Sequence, residues 1–232
     1  MTKEQIQDFS LAHAEPAWLA DLRQAAFDQI DRLELPTIER VKFHRWNLGD
    51  GSLAENDAPA TVPDFTALDV NPKLVQVGSQ TVLEQLPVDL VEQGVVFTDL
   101  YSALELIPDV IEKHFGTVIK YDEDKMTAYN AAYFNATAVL YIPDNVIVDQ
   151  PVEGIYYQDA NSSAPFNKRV LIIAGKNSQV NYLERFESFG EGGLETSANI
   201  TVEVQALAGS QVKFSAIDRL GKHVTTFMNR RG

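Results

Sequence analysis

The chain has 232 residues, 45% of them apolar, which is enough for a substantial core in one large domain or two small ones. Its 33 acidic and 19 basic residues give a formal net charge of -14, a field that repels phosphate backbones, so we expect no nucleic-acid partner. Cysteine is absent, which excludes disulfides, thiolate metal ligands and cysteine nucleophiles from this chain.

Neither a basic-then-apolar leader nor an apolar run of ~18 residues is present, so we expect a cytoplasmic protein that has no membrane partner. The charge is unevenly distributed. Residues 1–167 carry 27 acidic and 10 basic residues, whereas residues 168–232 carry 6 and 9. We therefore expect the two parts to face different surroundings.

The first helix is predicted from two prolines and an apolar stripe. Pro16 suits the first turn of a helix, and Pro36 is expected to end it. Between them, apolar side chains recur every three or four residues and form one face: Trp18, Leu22, Ala26, Ile30 and Leu33. We expect Trp18 to be a packing residue of this face. Residues 49–63 are predicted to be a loop or linker.

Residues 74–116 predict a hairpin followed by two helices. Apolar runs flank residues 78–80, as is typical of a hairpin with a three-residue loop. Thr98 can cap a helix over residues 99–107, and Pro108 can begin another. Gly116 stands where a left-handed residue often ends a helix.

Strand signals dominate after about residue 128. We therefore divide the chain into a helical and α+β region over residues 1–125 and a β region over residues 126–232.

Three stretches of the β region share one pattern, in which a strand, a tight corner and a second strand follow one another. They cover residues 141–148, 173–183 and 207–214. The valines after the corners, Val146, Val180 and Val212, recur at spacings of 34 and 32 residues. A fixed period of this length predicts stacked coils, since one two-strand unit cannot bury its apolar face alone. A β-sandwich with similar turns is the alternative that the spacing leaves open.

An ordered set of segments resembles the SufB/SufD family of iron–sulfur cluster assembly proteins, and most closely its SufD members. No single segment is diagnostic, but the set follows the family's order along nearly the whole chain. The segments are residues 15–19 (EPAWL), 35–36 (LP), 45–46 (RW), 94–97 (GVVF), 129–134 (YNAAYF), 141–146 (YIPDNV), 169–173 (RVLII) and 180–184 (VNYLE).

The resemblance implies a mainly β protein, with a right-handed parallel β-helix that is truncated here and is preceded by a small helical or α+β domain. It also implies a scaffold beside a SufB-like paralogue and a SufC-like ATPase. Members of this family continue well past Gly232, so we expect a fragment of a longer protein whose cluster-forming and ATPase-contacting residues lie outside it. An exposed end of the β-helix is expected to make this fragment self-associate.

The residues nominate no catalytic, cofactor-binding or metal-binding site. The histidines lie far apart and lack metal-ligand spacing, so we expect each to be structural: His13, His44, His114 and His223. His44 is the best candidate for a partner contact, because it lies in the aromatic and basic segment of residues 43–46. Packing remains the favoured role for it.

Three other patterns have simpler explanations. The acids of residues 122–124 lie beside lysines and predict a solvated turn rather than a cation site. The glycines of residues 190–193 lack the lysine of a phosphate-binding loop and predict a β-connection. The sequons at Asn135, Asn161 and Asn199 are expected to be chance matches, since no export signal is present.

We therefore expect a non-enzymatic scaffold with no cofactor in this fragment. The alternative is a β-helix enzyme that acts on carbohydrate or acyl-transfer substrates. The sequence argues against both forms of it, because it shows neither a cluster of acids on the predicted coils nor a six-residue repeat.

Overall fold

Two five-stranded sheets form the body of the protein in the computed structural model, which describes residues 2–46, 51–55, 64 and 71–232. The strands are β1 (Lys73–Val77), β2 (Gln80–Gln85), β3 (Val96–Thr98), β4 (Ala136–Ile142), β5 (Val152–Asp159), β6 (Phe166–Ala174), β7 (Gln179–Phe189), β8 (Thr196–Ala206), β9 (Gln211–Arg219) and β10 (Val224–Arg231). The first sheet has the order β2-β1-β5-β7-β9, and the second has the order β10-β8-β6-β4-β3.

From β4 onward the chain alternates between the two sheets, so that each coil adds one strand to each. The pairs β4–β6, β6–β8 and β8–β10 are parallel in the second sheet, and β5–β7 and β7–β9 are parallel in the first. This is the predicted parallel β-helix of stacked coils. The sandwich alternative is wrong, because a sandwich is built from antiparallel strands.

The repeat of the coils is 32 residues for most strand pairs, and it is 30 where β5 pairs with β7 and 28 where β8 pairs with β10. Ala136 pairs with Lys168, and Phe166 pairs with Ala198. Val180 and Val212 are register partners, as the spacing predicted. Val146 lies two residues out of that register, because the bridge between Ile147 and Gln179 aligns Val148 with Val180. The spacing of 34 was therefore measured from the wrong valine of the first corner.

The corners stack because each has a left-handed residue at the same position of the repeat. Asn145, Asn177 and Gly209 have φ of 65°, 56° and 76°. Asparagine and glycine are the residues that adopt this conformation at least cost. The Asn177 side chain donates to Asn145 Oδ1 at 3.2 Å. A Cβ on Gly209 would lie 2.3 Å from Asn177 Oδ1, so a larger residue there would displace that side chain.

The main core lies between the two sheets. Alternate residues of each strand point inward, so β5 contributes Val152 and Tyr156, and β8 contributes Ile200 and Val202. Every residue of β6 is buried. Its inner face packs in this core, and Leu171 and Ile173 on its other face pack against helices.

Six α-helices lie among the described residues, and all of them precede β4 in the chain. They are α1 (Lys3–Ala12), α2 (Ala17–Ile30), α3 (Val88–Glu92), α4 (Leu100–Leu106), α5 (Pro108–His114) and α6 (Lys125–Tyr133), with a 3-10 turn at Phe43–Arg45. Leu19 of α2, Leu100 of α4 and Ile111 of α5 pack in one cluster with the outer face of β4 and β6. The helices thus cover the second sheet.

The hairpin and the helix signals of the first half are largely confirmed. β1 and β2 pair antiparallel, but Val77 faces Gln80, so the loop has two residues, Gly78 and Ser79, and not the three predicted. The helix predicted from Pro16 is α2, but it ends at Ile30, so Pro36 does not end it and Leu33 of the predicted stripe lies outside it. Pro108 begins α5, and Gly116 has φ of 70°.

Three local predictions differ from the structure. Asp99, and not Thr98, caps α4, because its carboxylate accepts from the amides of Tyr101 and Ser102. Helix α1, which begins at a capping box of Thr2 and Gln5, was not predicted. Residues 128–133 belong to α6 and not to a strand. The boundary between residues 125 and 126 stays a prediction. Strands from both sides of it share the two sheets, since β1 pairs with β5.

Candidate functional site

Polar and charged side chains interrupt the apolar interior between the sheets. We call this group the interior polar cluster. It consists of Gln76, Tyr156, Lys168, Tyr182, Glu184, Asp218 and Arg230. It extends from the fully buried amine of Lys168 to partly exposed groups on the last two strands. A buried polar group is costly unless it is hydrogen-bonded, so the partners of each member decide what the cluster can do.

Lys168 lies at the buried end of the cluster. Its Nζ donates to Gln76 Oε1 and, at 3.1 Å, to the carbonyl of Thr137, and it lies 4.1 Å from the centroid of the Tyr156 ring. Burial lowers the pKa of Lys168 well below its ordinary value, against the opposing effect of Asp99 and Glu184. The amine is therefore held by dipoles and a ring face, and no carboxylate of the described residues is bonded to it.

A pair of tyrosines occupies the middle of the cluster. The hydroxyl groups of Tyr156 and Tyr182 lie 2.9 Å apart, and both side chains are fully buried. Burial raises the pKa of each, so both are neutral hydrogen-bonding groups at physiological pH. Gly154 makes room for them, since a Cβ there would lie 2.4 Å and 2.5 Å from the two hydroxyl oxygens.

Glu184 is the group that can exchange a proton near neutral pH. It is fully buried, and its Oε1 accepts from Arg230 Nε at 2.5 Å. Its Oε2 has no hydrogen-bond partner in the part of the chain that the structure describes. Burial raises the pKa of Glu184 to about 7, although Arg230 opposes this rise. Arg230 also donates to both oxygens of the exposed Asp218, at 2.6 Å and 3.1 Å, and this links the carboxyl to the surface.

Two further buried ion pairs attach the helices to the coils. Arg23 of α2 donates to Glu15 at 2.8 Å and to the carbonyl of Phe134 at 3.0 Å, and both charged side chains are fully buried. Arg169 of β6 donates to Glu203 of β8 at 2.5 Å. Each arginine has further partners, so these are satisfied structural pairs.

Sequence reasoning missed the charged groups of the interior. Arg23 was not part of the predicted apolar stripe, yet it lies on the buried side of α2 with Leu19 and Ala26. Lys168 and Glu184 occupy positions that alternate with apolar residues, at Phe166 and Val170 in β6 and at Tyr182 and Phe186 in β7. A charge at an inward position of a strand was the available signal.

The three histidines whose side chains the structure describes do not come together. His13 caps α1, stacks on Phe9 and lies 3.2 Å from Glu55 Oε1. His114 of α5 contacts the side-chain oxygen of Gln205, and His223 Nε2 lies 3.0 Å from Gln158 Oε1. The side chain of His44 lies outside the described residues. Within the described ranges, no three metal-ligating side chains form a group that could hold an ion.

The acids of residues 122–124 form the turn before α6. Asp124 caps this helix and accepts from the amides of Met126 and Thr127, while Glu123 bonds to Arg231 at 2.5 Å. The glycines of residues 190–193 connect β7 to β8, and there the amide of Gly192 donates to Asn161 Oδ1 at 3.0 Å.

Two of the three sequon asparagines are buried. Asn135 donates to the carbonyls of Ala54 and Pro165, and Asn199 donates to that of Met126. The third, Asn161, is exposed at the corner after β5. The buried pair have structural partners, as expected of chance matches.

Two family models match successive parts of the chain. Residues 64–153 match the SufBD protein N-terminal region, and residues 156–232 match the core domain of SufBD proteins of the SUF system for iron–sulfur cluster assembly. The chain belongs to the SufB/SufD family. The second match coincides with the coils from β5 to β10, so the interior polar cluster lies largely within the family's core domain.

Relatives in this family differ in how similar they are to the chain. The iron–sulfur cluster assembly protein SufD of Bacillus subtilis is 34% identical over 99% of the chain and 55% of its own length. The SufB of the same organism is 21% identical over 100% of the chain and 53% of its own length. A chloroplastic SufBD family protein of Arabidopsis thaliana is 26% identical, over 46% of its length. The chain thus spans about half the length of these relatives and is more similar to this SufD than to this SufB.

Of the helices in the described ranges, none has both the length and the apolar composition that crossing a bilayer requires.

Proposed function

We propose that the chain is a non-enzymatic scaffold subunit of an iron–sulfur cluster assembly complex. It would pair with a homologous, SufB-like β-helix subunit and with a SufC-like ATPase subunit. Membership of the SufB/SufD family supports the assembly role. The sequence has no cysteine, so thiolate ligands for a cluster would come from a partner or from another part of a longer protein.

The observation that carries the pairing is the exposed end of the coils at β9 and β10. Among the described strands, β9 pairs only with β7, and β10 pairs only with β8. Phe214 and Met228 point inward there and are only partly buried, whereas their register partners Tyr182 and Ile200 are fully buried. Unpaired strand edges beside an uncovered apolar interior favour the addition of further β-structure.

Co-purification tests the proposed complex. The chain is co-expressed with a SufB-like subunit and a SufC-like ATPase, and the mass of the purified complex is measured. The variant Phe214→Glu places a charge on the uncovered interior and is expected to abolish the complex. Ile217→Glu is the matched control, because Ile217 is exposed on the same strand but is not part of the inner core. Equal retention by both variants contradicts pairing through this end, and turnover of a polysaccharide by the purified chain contradicts the non-enzymatic role.

The isolated chain is also proposed to self-associate through the β9–β10 end. In the structure, β10 continues the parallel sheet and does not fold back over the end, and Arg230 links it to Glu184 of β7. Light scattering over about a hundredfold range of protein concentration tests this. We expect the mean mass to rise with concentration, and less so for Phe214→Glu. A monomer mass throughout, with residues 222–232 protected from proteolysis, contradicts self-association.

A further inference from the structure

A second surface with an unpaired strand edge lies at the other end of the second sheet. It is a groove of about 540 Å³ between α3 and α4, which we call the α3–α4 groove. Val95 and Phe97 form its buried floor, and Val91 and Leu106 form its exposed walls. Because β3 and β10 are the two outer strands of the same sheet, a partner at β10 leaves this groove open.

The walls of the α3–α4 groove are unusually apolar for an exposed surface. Val91 is 54% exposed and Leu106 is 65% exposed. Only nine large apolar side chains are exposed in the described ranges, and three of them, Val88, Val91 and Leu106, lie on these two short helices. A local concentration of exposed apolar side chains is typical of a contact surface for another molecule.

The floor of the groove has a strand edge without a partner. β3 pairs antiparallel with β4, through Val96 with Tyr141 and Thr98 with Val139. On its other side, no strand of the described chain pairs with it. An edge of this kind can accept a strand from another polypeptide, whose main chain completes the ladder while alternate side chains enter flanking pockets.

The charged residues near the groove indicate which kind of partner it can bind. Residues 74–112 contain no lysine or arginine and seven acids: Glu84, Asp89, Glu92, Asp99, Glu105, Asp109 and Glu112. Glu84 lines the groove itself and accepts from Thr98 Oγ1 at 2.5 Å. Such a field attracts a basic chain and repels acidic chains and anionic membrane surfaces.

We propose that the α3–α4 groove binds an extended, basic segment of another protein, which adds to β3 as an outer strand. Its alternate apolar side chains contact Val91 and Leu106, and its lysines or arginines lie near Glu84. This site is separate from the β9–β10 end, and its test does not depend on the proposed function.

Peptide binding to the purified chain tests the proposal. The probe is a fluorescein-labelled peptide of about nine residues in which valine and leucine alternate with lysine, read by anisotropy. We expect saturable binding with a Kd below about 1 mM. The same peptide with glutamate in place of lysine, and a version N-methylated at alternate backbone nitrogens, are expected not to bind, since they remove the charge match and the strand pairing.

Matched variants test where on the protein the peptide binds. Val91→Gln is expected to weaken binding about fivefold, and the double variant Val91→Gln with Leu106→Gln about tenfold or more. Val88→Gln is the control, because Val88 is exposed on the same helix but does not line the groove. Thermal unfolding checks that each variant is folded. Absence of saturable binding, equal effects of Val88→Gln and Val91→Gln, or equal binding of the N-methylated peptide overturns the proposal.

Discussion

Replacing Glu184 with glutamine should make the protein more stable at alkaline pH, although it removes an ion pair. Burial raises the pKa of this carboxyl to about 7 from an ordinary value of 4.5, so the folded protein retains a proton that the unfolded chain has lost. The stabilising contribution of the proton is complete below about pH 4.5. It is lost as the pH rises to about 7, and it does not change further above that. Glutamine retains the shape of the neutral acid at every pH.

The size of the effect follows from the pKa difference. One unit corresponds to about 1.4 kcal/mol, so ionisation of Glu184 lowers the free energy of unfolding by roughly 3 kcal/mol. The attraction of Arg230 is already included, because it opposes the rise in pKa. Glu184→Gln should therefore exceed the wild type by roughly 1 kcal/mol at about pH 5 and by roughly 3 kcal/mol at about pH 8.

Urea unfolding of both proteins across this pH range measures the difference, in which the other titrating groups cancel. Glu187→Gln is the matched control. Glu187 lies on the same strand and is bonded to Arg185 and Arg219 near the surface, so its replacement reports the loss of a carboxylate and its ion pairs outside the buried interior. A difference for Glu184→Gln that stays constant with pH, or a variant less stable than the wild type at pH 8, refutes the reasoning.

Three other outcomes are expected. Arg23→Met leaves the buried Glu15 with the hydroxyl groups of Ser10 and Tyr101 but without its ion-pair partner, and it should lower the free energy of unfolding by about 3–5 kcal/mol in urea. Adding Glu15→Gln should restore part of that stability. Trp18→Ala removes a partly buried ring whose centroid lies 5.9 Å from that of the Phe115 ring. It should lower the free energy of unfolding by roughly 2–3 kcal/mol, and unchanged thermal stability would mean that the ring contributes no packing. The purified chain should be colourless and bind neither zinc nor an iron–sulfur cluster, and stoichiometric iron and sulfide after anaerobic reconstitution would contradict this.

Most of the fold could be predicted from the residues at the corners of the coils. Asn145, Asn177 and Gly209 are local signals, because asparagine and glycine adopt the left-handed conformation of a tight corner at the least cost. The stacking of coils could therefore be predicted without any knowledge of distant contacts. The error at Val146 arose because two buried valines follow the first corner, and only the bridge at Ile147 distinguishes them.

The candidate site was less predictable because its properties depend on the environment. Lys168 and Glu184 are ordinary charged residues in the sequence, and only burial between two sheets alters their pKa values. The partner of Glu184 is 46 residues away, and that of Lys168 is 92 residues away. No pattern within a single segment indicates such pairs.

The short, nearly regular repeat of the coils has a consequence for how the chain folds. Each new strand pairs with one 28 to 32 residues earlier in the chain: Val224 pairs with Thr196, and Ala198 pairs with Phe166. Every coil can therefore form on the one before it during synthesis. The exception is β1, whose Lys73 pairs with Glu153, 80 residues later. Closing that loop costs about 0.8 kcal/mol more entropy than closing one of 32 residues. When the complete chain refolds from urea, the β1–β2 hairpin should therefore join the first sheet late, and its amides should gain protection from hydrogen exchange after those of β6 and β8.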